Sequence, residues 1–319
     1  MASVFNDIQH GFIAVRGLKL HVASIGGEAA PAVLFLHGFP EIWYTWRHQM
    51  IAVSKAGYRA IAPDFRGYGL SDKPAEPEKT TYADLVDDLV ELLDRLGLDK
   101  VFLVAKDFGV KPAYLFVLLH PERVIGIVTL GIPHLPLRST AFLESLPEGF
   151  YISRWQQPGR AEADFGRLEA KTVVRNIYIL FSRSEIPIAK EGQEIMDMVE
   201  PNTPLPAWFS EEDLAVYGEL YEKSGFEIAL QVPYRSLGER FDIEDPVVKV
   251  PALLIMGNED YVYKLPGMKE YLESGTVKEL VPDLEVVYLP NGTHFVHEQL
   301  PDEVNKLLVT FLDGITKRT

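Results

Sequence analysis

The 319-residue sequence contains no cysteine, which excludes disulfides and thiolate metal sites, so a metal site would need histidine and carboxylates alone. Positive charge is also scarce: 31 lysines and arginines stand against 46 aspartates and glutamates, giving a formal net charge of −15. Such a charge repels phosphate backbones and anionic lipid surfaces, and no dense basic cluster offsets it. Composition therefore argues against nucleic acid as a partner.

Long apolar runs are missing as well. The longest, such as residues 114–119, are far shorter than a bilayer requires, so we predict no membrane span. The first fifteen residues include Asp7 and His10 and lack the basic start and continuous apolar stretch of a signal peptide. The terminal tripeptide, 317–319, does not match the peroxisomal signal. We expect a cytoplasmic protein, while the oligomeric state stays open.

What the sequence does contain is the composition and pattern of an α/β protein. Hydrophobic residues make up 47% and charged residues 24%, which is usual for folded soluble chains. Two short strands around a turn at Gly17 predict an antiparallel edge. Buried strands then alternate with helices, which implies a mostly parallel sheet covered on both faces. The predicted strands are 12–15, 18–24, 33–36, 58–62, 101–105 and 124–130, and the predicted helices are 46–56, 82–96 and 109–120.

The alternation stops after Pro133. Residues 133–249 show helical periodicity broken by loops rich in proline, glycine and charge, with no comparable buried strand, which predicts an inserted helical lid. Strands resume at 250–256 and 285–289, and a last helix follows from about 301 to 312. We therefore predict a core formed by 1–132 and 250–319, interrupted by the lid.

The run Ala105-Lys106-Asp107-Phe108-Gly109 joins a predicted strand to a predicted helix. Small residues two positions before and after Asp107 permit a sharp turn that lifts the apex side chain above the sheet. A carboxylate at the apex can displace at a saturated carbon without first losing a proton, which favours an alkylated enzyme over an acylated serine. An aspartate before a helix is also a common cap, and this run alone does not decide between the two.

Two later loops supply partners for this aspartate. Asp260 follows one buried strand and His294 follows the next, so all three residues are predicted at the same edge of the sheet. The chain order nucleophile, acid, histidine is the one expected for an α/β hydrolase. Glu259 and His297 are rival candidates. We favour Asp260 for its spacing after the strand and His294 because His297 is placed to begin the last helix.

Together these features make the chain resemble a soluble epoxide hydrolase of the α/β-hydrolase superfamily, most similar to the plant-type enzymes, over nearly its whole length. The resemblance implies the α/β-hydrolase fold with a helical lid, and no cofactor or metal. The matching stretches are His37-Gly38-Phe39-Pro40-Glu41 with Trp43 and Trp46, Pro63-Asp64-Phe65-Arg66-Gly67-Tyr68-Gly69, the aspartate elbow, Gly292-Thr293-His294-Phe295 and Pro301-Asp302-Glu303-Val304-Asn305.

The resemblance also implies roles for particular residues. Tyr151 and Tyr234 match the two lid tyrosines of the family, whose phenols point at the nucleophile and donate to the epoxide oxygen. The backbone amides of Phe39 and Phe108 would form the oxyanion hole. The expected substrate-binding residues are Phe150, Trp155, His37 and Pro40, with Ile179, Leu180, Phe181 and Trp208 as further apolar lining.

The implied activity is hydrolysis of an apolar epoxide, of fatty-acid or terpenoid and specialised-metabolite type, to a vicinal diol. Asp107 would form a hydroxyalkyl ester, and His294, oriented by Asp260, would activate the water that cleaves it. The chain departs from the family's usual His-Asp-Trp, having Lys106 and Phe108 around Asp107. Strand alternation predicts that Lys106 points away from Asp107 and forms an ion pair.

Two alternatives stay open. A haloalkane dehalogenase shares the aspartate nucleophile, although it commonly uses a side-chain N–H donor directly after it, which Phe108 lacks. A non-catalytic or slow receptor for a small ligand, built on the same scaffold, is the second alternative. The unusual Lys106 and Phe108 motivate it, and the complete set of Asp107, Asp260 and His294 opposes it.

Overall fold

A computed structural model of the chain describes residues 5–136 and 146–317. The strands are β1 (Gln9–Val15), β2 (Leu18–Ile25), β3 (Ala32–Leu36), β4 (Arg59–Pro63), β5 (Val101–Lys106), β6 (Val124–Leu130), β7 (Ala252–Gly257) and β8 (Leu284–Leu289). They form one eight-stranded sheet in the order β1-β2-β4-β3-β5-β6-β7-β8. The pairs β1–β2 and β2–β4 are antiparallel and the other pairs are parallel, which confirms the predicted sheet and its antiparallel edge.

The central strands are apolar on both faces because each face meets a layer of helices. Side chains along β3 alternate between two core clusters: Val33 and Phe35 belong to one, and Leu34 and Leu36 to the other. Every residue of β3, β5 and β7 is buried. The continuous hydrophobic runs of the sequence are thus the signature of a sheet sandwiched between helices.

Helices cover both faces of the sheet. The helices α1 (Arg47–Lys55) and α12 (Pro301–Thr316) pack together over the Val33 face, whereas α2 (Tyr82–Arg95) and α3 (Val110–Leu119) pack over the opposite one. The start of α2 is fixed by a capping box in which Thr81 and Asp84 bond each other's backbone amides. No described helix is long and apolar enough to cross a membrane.

Between β6 and β7 the described residues form helices and turns and no strand. This agrees with the periodicity used to predict a lid, although its limits at 133 and 249 stay a prediction and residues 137–145 lie outside the described part. The helices of this region are α4 (Tyr151–Trp155), α5 (Arg160–Phe165), α6 (Ala170–Phe181), α7 (Glu211–Ser224) and α8 (Glu227–Leu230). The remaining core helices are α9 (Met268–Glu273), α10 (Val277–Leu280) and α11 (Val296–Gln299).

The strand order decides where the chemistry is located. Parallel pairing of β3, β5, β6, β7 and β8 brings the ends of these strands to one edge of the sheet. Asp107 follows β5, Asp260 follows β7, and His294 follows β8. The chain therefore delivers three distant residues to one place, as expected for open α/β sheets.

Candidate active site

The turn after β5 is sharp, and Asp107 at its apex has a φ of +51°, a conformation that few residues other than glycine adopt. Two glycines, Gly109 after it and Gly38 in the loop after β3, leave room for this turn. A Cβ added at Gly109 would lie 2.4 Å from the carbonyl oxygen of His37, and one at Gly38 would lie 2.3 Å from the Asp107 Cβ. The nucleophile elbow predicted from the small residues is thus a strained turn packed against the loop after β3.

Asp107, His294 and Asp260 form a hydrogen-bonded series. Nδ1 of His294 lies 3.0 Å from Oδ1 of Asp260, and its Nε2 lies 3.4 Å from Oδ2 of Asp107. Oδ1 of Asp260 also accepts the backbone N–H of Val262, at 2.9 Å, which fixes the carboxylate. Asp260 and His294 are buried, while the Asp107 side chain keeps 16% of its surface exposed. The arrangement orients the imidazole between the two carboxylates.

The two rival residues lie elsewhere. His297, in α11, is buried beside Thr45 and contacts the Trp46 ring at 4.8 Å. The Glu259 carboxylate is about half exposed and pairs with Lys264 at 2.6 Å. The geometry therefore favours His294 and Asp260 over both rivals.

Charges around Asp107 keep it ionised. Burial by itself opposes ionisation, but the hydrogen bond and charge of His294, the charge of Lys106 and the Phe108 amide outweigh it and lower the Asp107 pKa to about 2. For His294, burial and Lys106 lower the pKa, yet Asp260 and Asp107 together raise it above its ordinary value. Removing the Asp107 charge would therefore lower the pKa of His294.

Backbone amides surround the Asp107 carboxylate where the oxyanion hole was predicted. The N–H of Phe39 donates to Oδ1 of Asp107 at 2.9 Å, and the backbone of Phe108 helps to lower the pKa of the carboxylate. The loop that carries Phe39 is held by Glu41, whose Oε2 accepts the Gly38 N–H at 2.9 Å. An ester carbonyl formed on Asp107 would have the same amide donors.

The two predicted lid phenols lie close together, and the Tyr234 ring is 6.0 Å from the Phe39 ring. The rings of Tyr151 and Tyr234 are 6.1 Å apart and nearly perpendicular, and both side chains are buried. The Trp155 ring lies 5.2 Å from Tyr151 and 5.1 Å from Tyr234, so it holds the pair in place. Burial raises the pKa of both phenols, which keeps them protonated at neutral pH.

Some of the predicted substrate-binding residues lie next to these phenols. Phe150 and Phe181 each place a ring 4.7 Å from Tyr151, and Trp155 contacts Phe39 at 5.9 Å. Ile179 and Leu180 precede Phe181 in α6 and are also buried. These side chains make the surroundings of the phenols strongly apolar.

Other predicted residues have structural partners instead. Both ring nitrogens of His37 are engaged, with the Gly38 carbonyl at 2.9 Å and the Phe65 amide at 3.1 Å. Pro40 is buried and follows a cis peptide bond. Trp208 packs 5.9 Å from the Phe295 ring. The contacts of His37 stabilise the loop after β3, and the contact of Trp208 joins the lid to the core.

Lys106 is completely buried and pairs with Glu41, its Nζ lying 3.1 Å from Oε1. The ammonium also lies 4.6 Å from the centre of the Phe295 ring. Glu41 is close to Phe39 in the sequence and Phe295 follows His294, so Lys106 joins the elbow to the loops that carry Phe39 and His294. Sequence alternation predicted an ion pair here but could not name its partner.

A polar cluster behind the site has donors that could in principle bind a metal. Atoms of Glu41, His297 and Glu298 lie within 4.8 Å of one another. Lys106 already neutralises Glu41, however, and Arg47 lies 2.6 Å from Oε2 of Glu298, so positive charge is present without a metal. The cluster is a network of paired charges. It also connects lid and core, because Oε1 of Glu298 accepts hydrogen bonds from Tyr178 and Tyr217 at 2.9 and 3.2 Å.

One residue beside the site was missed by sequence reasoning. The hydroxyl of Tyr261 lies 2.9 Å from that of Tyr151, and its ring is 4.9 Å from the His294 ring. The available signal was its position directly after Asp260, which assigned it to the same edge of the sheet. Neither spacing nor residue type indicated that its hydroxyl would meet a lid residue.

Comparison with known proteins agrees with this fold. Residues 31–301 match the family described as alpha/beta hydrolase fold. The chain belongs to that family. Epoxide hydrolase 2 of Siraitia grosvenorii is 40% identical over 315 residues, covering 96% of this chain and 98% of the relative.

Solved structures give the same result. A mutant of Vigna radiata epoxide hydrolase has a TM-score of 0.89 and 38% identity, with 97% of this chain and 99% of the other covered. A laboratory-evolved variant of potato epoxide hydrolase has a TM-score of 0.87 and 37% identity, covering 96% and 99%. Within its family the chain is therefore an enzyme of the epoxide hydrolase group.

Proposed function

We propose that this enzyme opens epoxides to vicinal diols in two steps through an ester on Asp107. The observation that carries the proposal is the environment of that carboxylate. Asp107 has a pKa lowered to about 2, accepts the Phe39 amide and contacts the buried imidazole of His294. The buried phenols of Tyr151 and Tyr234 stay protonated, because burial and the charge of Asp107 both raise their pKa. A carboxylate nucleophile and proton donors are what epoxide opening needs.

In the first step a carboxylate oxygen of Asp107 bonds to an epoxide carbon while the bond between that carbon and the ring oxygen breaks. Tyr151 and Tyr234 hydrogen-bond the departing oxygen, and one of them gives it a proton. The products are a hydroxyalkyl ester on Asp107 and one phenolate in the lid. Because Asp107 is ionised before the substrate arrives, this step requires no base.

In the second step His294, oriented by Asp260, takes a proton from water as the water attacks the ester carbonyl. The Phe39 and Phe108 amides stabilise the resulting oxyanion, an effect worth a factor of roughly 10² to 10³ per donor. Collapse expels the diol oxygen, which takes the proton from His294. The proton of the new Asp107 carboxyl returns to the lid phenolate, so water supplies one hydrogen to the diol and one to the enzyme.

Oxygen labelling tests this route. We expect a single turnover in heavy-oxygen water to place the label in the Asp107 carboxylate, read by mass spectrometry of the peptide, and to release a first diol without it. Label found directly in that diol would show that water attacks the epoxide itself. Styrene oxide is a suitable substrate. The control is the variant Asp107→Asn, which has no carboxylate at position 107 to form the ester.

We further propose that the substrate is an apolar epoxide of the fatty-acid or terpenoid and specialised-metabolite type, encountered in the cytoplasm. The apolar rings of Phe150, Trp155 and Phe181 around the phenols support this class. A panel of epoxides of increasing chain length should show kcat/KM rising with apolar surface. A panel that instead favours small charged epoxides would contradict the assignment.

A further inference from the structure

A third phenol lies beside the two lid phenols. Tyr261 follows Asp260 directly, is 4% exposed, and has its hydroxyl oxygen 2.9 Å from that of Tyr151. Its ring lies 4.9 Å from the His294 ring and 5.3 Å from the Phe181 ring. Tyr261 therefore touches the base on one side and the lid on the other.

The hydrogen bond makes the two lid phenols unequal. Tyr151 has a partner in Tyr261, whereas among residues 5–136 and 146–317 the hydroxyl of Tyr234 has none. Burial raises the pKa of both lid phenols and so opposes loss of a proton, but the Tyr261 bond lowers that of Tyr151 in part. The reason is that a hydrogen bond donated to a phenol oxygen stabilises the phenolate.

On the basis of the function proposed above, we infer that Tyr261 is a positioning residue that donates its hydrogen to the Tyr151 oxygen. This leaves the Tyr151 hydrogen free to point at the epoxide oxygen. As Asp107 bonds to carbon and the ring C–O bond breaks, the Tyr151 proton moves to the released oxygen. Negative charge then develops on the Tyr151 oxygen, where the Tyr261 hydroxyl stabilises it. Tyr151 is thus the proton donor, and Tyr234 supplies a hydrogen bond only.

The test is the variant Tyr261→Phe, which removes one oxygen atom and keeps the ring against His294. In single-turnover experiments with styrene oxide, rapid acid quenching and mass spectrometry of the ester separate its formation from its hydrolysis. We expect ester formation to slow by about 5- to 30-fold, the effect of one hydrogen bond to a developing charge. Hydrolysis of the ester should stay at the wild-type rate, which also shows that the variant is folded.

Tyr263→Phe is the matched control, because Tyr263 lies two residues further on and bonds the surface residue Glu273 at 2.7 Å. We expect it to leave both half-reactions unchanged. A Tyr261→Phe enzyme that forms the ester at the wild-type rate or faster would overturn the inference. So would an equal loss in both half-reactions, since that is what general disruption of the site would cause.

A double-mutant cycle isolates the contact itself. Tyr151→Phe should slow ester formation more than Tyr234→Phe does, and adding Tyr261→Phe to Tyr151→Phe should cause no further loss. Losses that multiply would show that Tyr261 acts independently of Tyr151 and would overturn the inference. If the wild type forms no ester, the proposed function itself fails. If it forms one and the cycle shows no coupling, only the role of Tyr261 fails.

Discussion

The ammonium of Lys106 lies 3.1 Å from Oε1 of Glu41, and neither side chain reaches solvent. The other oxygen of Glu41 accepts the N–H of Gly38, next to the Phe39 amide that donates to Asp107. The Lys106 charge beside Asp107 thereby helps to fix the loop that carries Gly38 and Phe39. Removing one member of a buried pair leaves the other uncompensated, which makes this contact testable by substitution.

Lys106→Met should destabilise the protein by about 3 to 5 kcal/mol, the cost of leaving a buried carboxylate unpaired. It should also lower kcat, because Glu41 is then free to leave the Gly38 amide. The control is Lys106→Met combined with Glu41→Gln, in which the amide oxygen still accepts from Gly38 and no charge is left alone. Urea unfolding should show most of the stability recovered in the double variant. Equal losses in the two variants would mean that the pair matters only through packing.

His294→Gln should stop the reaction after its first step. The Lys106 charge and the Phe108 amide, which also lower the Asp107 pKa, stay in this variant, so the ester still forms, and in the absence of a general base it accumulates. Intact-protein mass spectrometry after mixing with styrene oxide should show the mass of the enzyme plus one epoxide. His297→Gln, a change at the rival histidine, should give no accumulation. An inactive His294→Gln enzyme without the adduct would show that the histidine is needed for alkylation.

The two half-reactions should differ in their dependence on pH. Formation of the ester needs Asp107 ionised and the phenols protonated; with the Asp107 pKa lowered to about 2 and the phenol pKa values raised, its rate should be flat across the neutral range. Hydrolysis needs neutral His294, so its rate should fall as the pH drops through the pKa of that imidazole. Stopped-flow and quench measurements at a series of pH values would reveal a hydrolysis rate that is equally flat if His294 is not the base.

Removing the Asp107 charge should also change the pKa of His294. Asp107 helps to raise it in the free enzyme, so Asp107→Asn, which removes that charge as an ester does, should lower it. The pKa can be followed by NMR titration of the imidazole. The exposed carboxylate of Asp245, paired with Lys249, supplies the control Asp245→Asn, which should not move the titration. A His294 pKa that is equal in Asp107→Asn and wild type would show that the Asp107 charge does not raise it.

Glu298 should anchor the lid to the core. Its carboxylate pairs with Arg47 at 2.6 Å and accepts hydrogen bonds from Tyr178 and Tyr217. Glu298→Gln should therefore lower the free energy of unfolding by about 3 kcal/mol or more, while the exposed-pair control Lys249→Gln should cost about 0.5 kcal/mol or less. Limited proteolysis should also cleave the lid faster. Unchanged stability would show that the lid is held by its apolar contacts alone.

The fold could be predicted because its signals are local. Continuous apolar runs such as β5 identify a strand covered on both faces, and loop residues after successive strands must meet at one edge. By this route Asp107, Asp260 and His294 were assigned together without any knowledge of their distances. The parallel order of the strands supplied the geometry that the spacing could not.

The contacts between lid and core could not be predicted in this way. Tyr261 and Tyr151 are far apart in the chain, and no periodicity relates them. The same is true of Lys106 and Glu41 within the core. Trp208 shows the converse difficulty. In the sequence it fits both pocket lining and lid core, and in the structure it packs against Phe295. The pattern of an aromatic residue is the same whether it faces a substrate or another element.

The missing side chain of Gly38 has a consequence for how the enzyme could change. The Cβ and Oδ1 of Asp107 occupy the space in which even a methyl group at Gly38 would sit, at 2.3 and 2.8 Å. A larger residue at position 38 would therefore push the Asp107 side chain away from its present place. A substitution at position 38 could therefore be accepted in evolution only together with a rearrangement of the neighbouring loop.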